Sequence, residues 1–317
     1  MAIEISVIVA CKNEHRDIPK CIDALLFQTF PKGKFEMVFG DGGSTDGTLG
    51  IIRKYAKRAR NIKLVHESGK PKSAGNARNQ GAKLSGGDIL VFFDADAVPT
   101  KEYLMEISKM PRKANAASSN VRPFPSKSVW AALRECETLA SNYLIESGHG
   151  TQFPNIFRRK FFLEMGGYEA KFRYGEDWHL LEKMKGEGAN PINLPRAIIF
   201  HRDPDSLGEI AAQSRFWGSG FYALFMSDPG RHFPRLALVA ARALWLPLYL
   251  AYLAFPLNLL LFLAGGLFLA SIADAAIQLY RSTRMGAKFS NAILIMPFRM
   301  IRSLNFLQGF LMAMLAR

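Results

Sequence analysis

Cysteine is scarce: three residues in 317, Cys11, Cys21 and Cys136. They offer neither an even-numbered disulfide framework nor a metal-binding spacing, so they read as structural thiols in a reducing compartment. Internal repeats and low-complexity tracts are missing too. The opening "MAIEISVIVAC" lacks the basic flank of a secretory leader and reads as a buried strand, which places the soluble part on the cytoplasmic side. The next stretch, "CKNEHRD", lacks the glycine cluster that a sugar nucleotidyltransferase would carry after its first strand. Acid is nearly absent from the C-terminal end. From Pro229 onward nine Lys and Arg stand against one acid, Asp274, so this segment holds +8 of the net +14. A basic segment suits nucleic acid or an anionic membrane surface. This one is also the most apolar part of the chain, which excludes nucleic acid in favour of the membrane.

What is present divides by solvent. Hydrophobic residues make up 49% and charged residues 21%, enough for a packed core and too apolar for disorder. "LALVAARALWLPLYLAYLAF" (Leu236–Phe255) and "LNLLLFLAGGLFLASIA" (Leu257–Ala273) approach the about 20 apolar residues that a bilayer span requires. Pro256-Leu257-Asn258 is a candidate tight turn between them. Arg231 and Arg235 before, and Arg281, Arg284 and Lys288 after, place both ends of such a hairpin inside. Arg242 at a span centre would cost about 2.5–3.5 kcal/mol, less if it faces protein. A buried hairpin in a soluble domain and a single re-entrant insertion are the alternatives. "SLGEIAAQSRFWGSGFYALFM" (Ser206–Met226) is amphipathic, suited to a membrane surface or to packing. Asn291–Leu315, with Arg299 and Arg302 at mid-length, reads as an interfacial helix.

The first two-thirds alternate strands and helices. Glu4–Ala10, Phe35–Asp41, Ile62–Glu67 and Asp88–Asp94 read as strands. Asp17–Thr29, Asp46–Ala59 and Ser73–Ser85 read as helices, the first with Asp17 as cap and Pro19 in its first turn. This order predicts an α/β fold with a mostly parallel sheet flanked by helices. Ligands in such sheets sit beyond the carboxyl ends of the strands.

The chemistry-bearing residues fall at those ends. In "DILVFFDAD" a buried strand runs into Asp94, Ala95 and Asp96, two carboxylates that suit a hard divalent cation together with diphosphate oxygens. "GDGGSTDGT" places Asp41 to accept a hydrogen bond from a nucleobase, with Ser44-Thr45-Asp46 capping the next helix. "ACKNE" brings Ala10, Lys12 and Glu14 to the same edge. "NARNQGA" places Arg78 and Asn79 on a helix, where Arg78 would reach nucleotide phosphate or pair with a strand-end carboxylate.

As a set, "SVIVACKNE", "DGGSTDGT", "ARNQGA" and "DILVFFDAD" resemble the nucleotide-binding half of family 2 inverting glycosyltransferases of the GT-A fold. The likeness covers roughly residues 4 to 205. It continues through "NIFRRKFFLEMGGYEAKFRYGEDWHLLEKMKGEG" (Asn155–Gly188), which is similar to the acceptor half. The resemblance implies Asp177 as catalytic base with Glu176 beside it, and His201 in "IIFHRDP" as a third metal ligand with Asp94 and Asp96. It also implies Mn²⁺ or Mg²⁺, a UDP- or GDP-sugar donor bound by Ala10, Lys12, Glu14, Asp41, Arg78, Asp94, Ala95 and Asp96, and direct displacement with inversion. The family often has two adjacent acids where this chain has Asp41-Gly42. "QSRFW" resembles the Q-x-x-R-W motif of processive members with the arginine displaced by one, so no processive polymerase is expected. Gln213, Arg215 and Trp217 remain candidates at the acceptor, and Arg158, Arg159, Arg215 and Arg231 candidates for attracting a lipid phosphate. The expected plan is an integral membrane protein: a cytoplasmic catalytic domain over 1–205, a linker helix over 206–235, a hairpin over 236–279 and an interfacial helix over 289–317. Its expected acceptor is a polyprenyl phosphate or a lipid-linked glycan, with a non-lipid glycan hydroxyl or a non-catalytic sugar-nucleotide sensor as alternatives.

Overall fold

The computed structural model describes residues 2–68, 72–146, 153–255, 257–292 and 294–316. The candidate turn at Pro256 therefore lies partly outside the described residues. Two compact units divide the chain, one of Met1–Phe124 with Thr151–Arg202, the other of Pro125–Gly150 with Asp203–Arg317.

In chain order the elements are β1 (Ile5–Cys11), α1 (Ile18–Leu26), β2 (Phe35–Asp41), α2 (Thr48–Ala56), β3 (Ile62–His66), α3 (Ala74–Leu84) and β4 (Ile89–Asp94). Next come β5 (Ala97–Pro99), α4 (Tyr103–Ser108), β6 (Ala116–Pro123), α5 (Val129–Glu146), β7 (Ile156–Arg158), α6 (Arg159–Glu164), α7 (Glu176–Gly186) and β8 (Ile192–His201). The C-terminal helices are α8 (Leu207–Ser227), α9 (Pro229–Ala254), α10 (Asn258–Arg284), α11 (Phe289–Ala292) and α12 (Ile295–Leu315).

The first unit is an eight-stranded sheet in the order β3-β2-β1-β4-β7-β6-β8-β5. The four strands read from the sequence pair in parallel, as expected. The later half makes the sheet mixed, because β7 runs antiparallel to both β4 and β6, and β5 antiparallel to β8. The parallel strands are apolar without interruption because both of their faces are covered. Successive side chains enter opposite layers. Val7, Val9, Met37, Phe39, Val91 and Phe93 join one cluster with Ile18, Ile22 and Leu25 of α1. Ile8, Val38, Leu90 and Phe92 join the other with Phe157, Phe162, Tyr168 and Leu180. Each such side chain, once buried, contributes about 1.5–3 kcal/mol of transfer free energy.

The helix ends follow local chemistry. Pro19 sits in the first turn of α1, as expected, but Asp17 makes no capping bond and pairs with Lys20 and Arg202 instead. Helix α2 starts after Gly47, whose φ of 94° suits a residue without a Cβ, two residues later than the pattern suggested. Ser73 caps α3 by accepting from the Asn76 amide. Close approach of α3 to the sheet requires Gly81, where a Cβ would stand 2.6 Å from a methyl of Ile8.

The second unit is helical. Among the described residues, α9 and α10 are long and apolar enough to cross a membrane, and most of their apolar surface is exposed. In α8 and α12, Gly218 and Gly309 let the two backbones touch: a Cβ on either would fall about 2 Å from a carbonyl oxygen of the facing helix, that of Phe306 or Arg215. Arg242 makes a two-point ion pair with Asp274 at 2.8 and 2.9 Å, which is how the charge inside α9 is met.

Candidate active site

The site is built in the first unit, at the carboxyl ends of β1, β2 and β4. Strand β4 stops at Asp94, and the turn into β5 presents Asp96. Antiparallel pairing of β5 with β8 sets His201 opposite Ala97. That register brings a residue more than a hundred positions away to the two carboxylates. His201 Nε2 lies 3.2 Å from Asp96 Oδ1 and 3.8 Å from Asp94 Oδ2. One ligand atom from each of Asp94, Asp96 and His201 lies within 4.8 Å of the others. Two hard oxygen donors and one imidazole nitrogen, converging from a strand end, its turn and a neighbouring strand, fit a divalent cation.

Arg78 of α3 organises the carboxylates. Its guanidinium donates to Asp94 Oδ1 at 2.6 Å and to Glu176 Oε1 at 2.7 Å, and lies over the Tyr168 ring at 5.5 Å. Of the two roles open to Arg78 in the sequence, the structure displays the pairing with a strand-end carboxylate. Desolvation works to raise the Asp94 carboxyl, but Arg78 first and His201 second overcome it and hold the group well below its ordinary range. Burial opposes the imidazolium of His201, yet Asp94 and Asp96 raise it well above its usual value.

Glu176 and Asp177 open α7, behind Gly175 at φ 82°. Arg78 is turned to Glu176, and among the described residues Asp177 accepts from one backbone donor, the Trp178 amide at 2.7 Å. Burial, then repulsion from Glu176, push the Asp177 carboxyl up to about 6. A carboxylate tuned to that range is suited to accept a proton near neutral pH. Glu14 is raised similarly, to about 7, by burial and by the negative field of Asp96, Asp17 and Asp94.

Asp41 is buried, and its carboxylate accepts from the amides of Gly43 and Ser44 at 3.0–3.2 Å. Oδ2 takes both amides and Oδ1 only that of Ser44, so Oδ1 keeps capacity for a further donor. Asp46 ties its loop to the one after β1, bonding the Thr48 amide and hydroxyl and meeting His15 Nδ1 at 2.7 Å. Asn13, at φ 59°, adds to that tie by accepting from the Thr45 amide at 2.8 Å. Sequence reasoning passed over Asn13 and His15. Asparagine is among the few residues that tolerate this left-handed backbone, but its partner Thr45 lies across a strand pair, out of reach of local pattern. Ala10 and the exposed Lys12 flank this edge, and Ala95 is buried beneath it.

Arg158 does not join them. Strand β7 pairs Arg158 with Ile89, the first residue of β4, so it stands at the end of that strand opposite Asp94. Its guanidinium donates to the carbonyls of Met110 and Pro111. The expectation of an acceptor role for Arg158 fails on register alone. Gln213, Arg215 and Trp217 belong to the helical unit. There Arg215 donates to Asn305 at 2.6 Å, and the Trp217 ring lies under Arg134 and Arg302.

The model of the family described as glycosyl transferase family 2 matches residues 6–164, half of the chain. The chain belongs to glycosyl transferase family 2. Among this family's members it is similar to a Haloferax volcanii glycosyltransferase, AglE, at 39% identity over 32% of this chain and 33% of that protein. A Methanococcus voltae dolichyl N-acetyl-α-D-glucosaminyl phosphate 3-β-D-2,3-diacetamido-2,3-dideoxy-β-D-glucuronosyltransferase is 36% identical over 32% of this chain and 31% of its own. These matches thus span about a third of each relative's length. In fold the chain is similar to a mannosyltransferase of Pyrobaculum calidifontis solved with GDP-Man and Mn²⁺, with a TM-score of 0.58, 20% identity, and coverage of 97% of this chain and 88% of the other. The architecture is that of GT-A glycosyltransferases.

Proposed function

We propose that this family 2 protein transfers a sugar, with inversion, from a nucleotide diphosphate sugar to a membrane-associated acceptor. The observation that carries the reading is the convergence of Asp94, Asp96 and His201 at the strand ends, with Asp177 raised to about 6 in the same unit. Asp94, Asp96 and His201 would hold the divalent cation. Such a cation, Mn²⁺ or Mg²⁺, supplies charge to offset the negative diphosphate.

The rest of the chemistry belongs to the chain's own side chains. Asp41 and its glycine-lined loop receive the nucleobase end of the donor. An acceptor oxygen forms a bond to the anomeric carbon from the face opposite the diphosphate as the carbon–oxygen bond to the diphosphate breaks. Asp177 takes the acceptor's proton, a task worth about 10²–10⁴ in rate to a well-placed base. Arg78 fixes Glu176 and Asp94, so neither competes for that role.

A lipid-linked acceptor is supported by α9 and α10, whose outward apolar surface suits hydrocarbon, and by the name of the dolichyl-linked relative. With the hairpin in the bilayer, the flanking arginines orient the sheet unit toward the cytoplasm. A hydroxyl of a lipid-linked glycan makes full use of Asp177. A polyprenyl phosphate is already anionic and would leave Asp177 a positioning part.

The test supplies membranes carrying the full chain with labelled UDP- and GDP-sugars and divalent metal, beside Asp96→Ala. Label entering the organic-extractable fraction only with Asp96 intact is the expected result. Label reaching a water-soluble glycan instead would remove the lipid from the proposal. Absence of both transfer and donor hydrolysis with every donor would leave a sugar-nucleotide-binding protein.

A further inference from the structure

The helical unit contains a cavity of about 300 Å³ that the transfer chemistry does not use. Its lining includes four arginines, Arg235, Arg242, Arg299 and Arg302, and a single carboxylate, Glu137. Asp274, just outside, is shared by Arg242 and Arg299, the latter at 3.1 Å. Glu137 is likewise shared, by Arg134, Arg299 and Arg302. Arg134, Arg242, Arg299 and Arg302 thus share Glu137 and Asp274, with Asp203 3.8 Å from Arg134. Desolvation, followed by repulsion from Arg134, depresses Arg302 well below the ordinary guanidinium value. Guanidiniums do not lose their protons in proteins, so the cost of such crowding is relieved by an anion rather than by neutralisation.

Two further features point to a ligand. Ser214 lines the cavity, is 1% exposed, and its Oγ has no hydrogen-bond partner. A buried helical serine ordinarily bonds a carbonyl one turn back, and an unmade bond costs about 1–3 kcal/mol. Arg302 Nε is buried and unpartnered as well. The wall also reaches the apolar exterior, since Leu238 of α9 lines the cavity and is 37% exposed. A phosphate group with about −1.5 to −2 charge and three acceptor oxygens matches this surplus of donors. The exposed apolar faces of α9 and α10 identify the carrier, because a membrane lipid would be the anion at highest local concentration there.

We infer that this arginine-lined cavity binds the phosphate group of a membrane lipid, with Arg235, Arg302 and Ser214 donating to its oxygens and the acyl chains lying along α9. The site is independent of the transfer reaction and is tested without any sugar nucleotide.

The experiment uses full-length protein purified in dodecyl maltoside and mixed micelles of dioleoyl phosphatidic acid, with retained lipid counted by native mass spectrometry. One phosphatidic acid per chain is expected, with dioleoyl phosphatidylcholine not retained. Arg235→Gln should weaken retention about tenfold, the loss of one charge-assisted bond, and Ser214→Ala severalfold. These substitutions leave the Glu137 and Asp274 ion pairs in place, and an unchanged melting temperature would establish that the variants fold. In a second arm, inorganic phosphate at millimolar concentration should fail to displace the lipid. Displacement by phosphate alone would make the site one for a free anion and overturn the lipid assignment. Equal retention by wild type and Arg235→Gln, or equal retention of phosphatidylcholine, would overturn the cavity itself as the site.

Discussion

The sheet unit gathers acid and the helical unit gathers arginine. At the strand ends, Asp94, Asp96, Glu176, Asp177 and Glu14 crowd around one guanidinium, Arg78, and one imidazole, His201. Around the helical cavity, Arg134, Arg242, Arg299 and Arg302 crowd around Glu137 and Asp274. Each cluster carries a surplus of one sign, and that sign is what motivates the proposals of a cation at one and an anion at the other. The lesson is that a half-satisfied buried charge network is informative through its residue.

The largest effect that would break this symmetry is catalytic. Asp177→Asn should lower kcat by about 10²–10⁴ with a hydroxyl acceptor while leaving sugar-nucleotide affinity within a few-fold, read by steady-state kinetics and donor binding. A fall below tenfold would shift the acceptor to a phosphate. Next, Arg78→Met should destabilise the sheet unit by about 3–5 kcal/mol, because Glu176 and Asp94 lose their shared cation. Thermal unfolding with and without divalent metal reads it, and metal should restore part of the loss through Asp94.

A smaller effect concerns pH. Asp177 is raised from its ordinary value to about 6. The proton is therefore held more tightly in the fold, stability from this group is complete below about pH 4, and it is lost as pH rises through 6. At pH 7.5 Asp177→Asn should be more stable than wild type by about 2 kcal/mol, the gain vanishing at pH 4. Transfer by the wild type should rise with pH through the same value, since only ionised Asp177 takes a proton. A flat rate between pH 5 and 7 would remove Asp177 as base.

In the helical unit, Gly309→Leu should cost about 1–3 kcal/mol or more, because the Arg215 carbonyl already occupies the side-chain position. Melting of the purified protein measures it, and an unaffected melting temperature would mean that α8 and α12 separate freely. The smallest effect is Tyr103→Phe, at about 1 kcal/mol. The Tyr103 hydroxyl is buried and bonded to Ser119 at 2.7 Å.

Much of the sheet half was legible in advance. Strand β2 falls on the expected residues, and β1, β3 and β4 within a residue or so, because doubly covered parallel strands are written as unbroken apolar runs between glycine-rich turns. The later strands were not. "AASSNVRP" of β6 and "INLPRAIIFH" of β8 carry serine, proline and arginine, and only pairing explains them. In the site, D-x-D announced itself as two charges after a buried strand. Asn13 and His15 did not, since their partners Thr45 and Asp46 lie across a strand pair. Arg158 misled because a basic residue near an acceptor motif says nothing about which end of a strand it occupies.

The sequence by itself determined which segments would be buried, which would be long and apolar enough to cross a membrane, and which carboxylates would stand at strand ends, because hydrophobic period and chain breaks are local properties. Tertiary structure alone decided that His201 would complete the Asp94–Asp96 cluster, that Arg78 would face Glu176 rather than solvent, and that Arg299 and Arg302 would turn inward to Glu137 and Asp274. Those outcomes depend on strand register and helix rotation, where a shift of one residue reverses the face a side chain presents, and no local pattern records it.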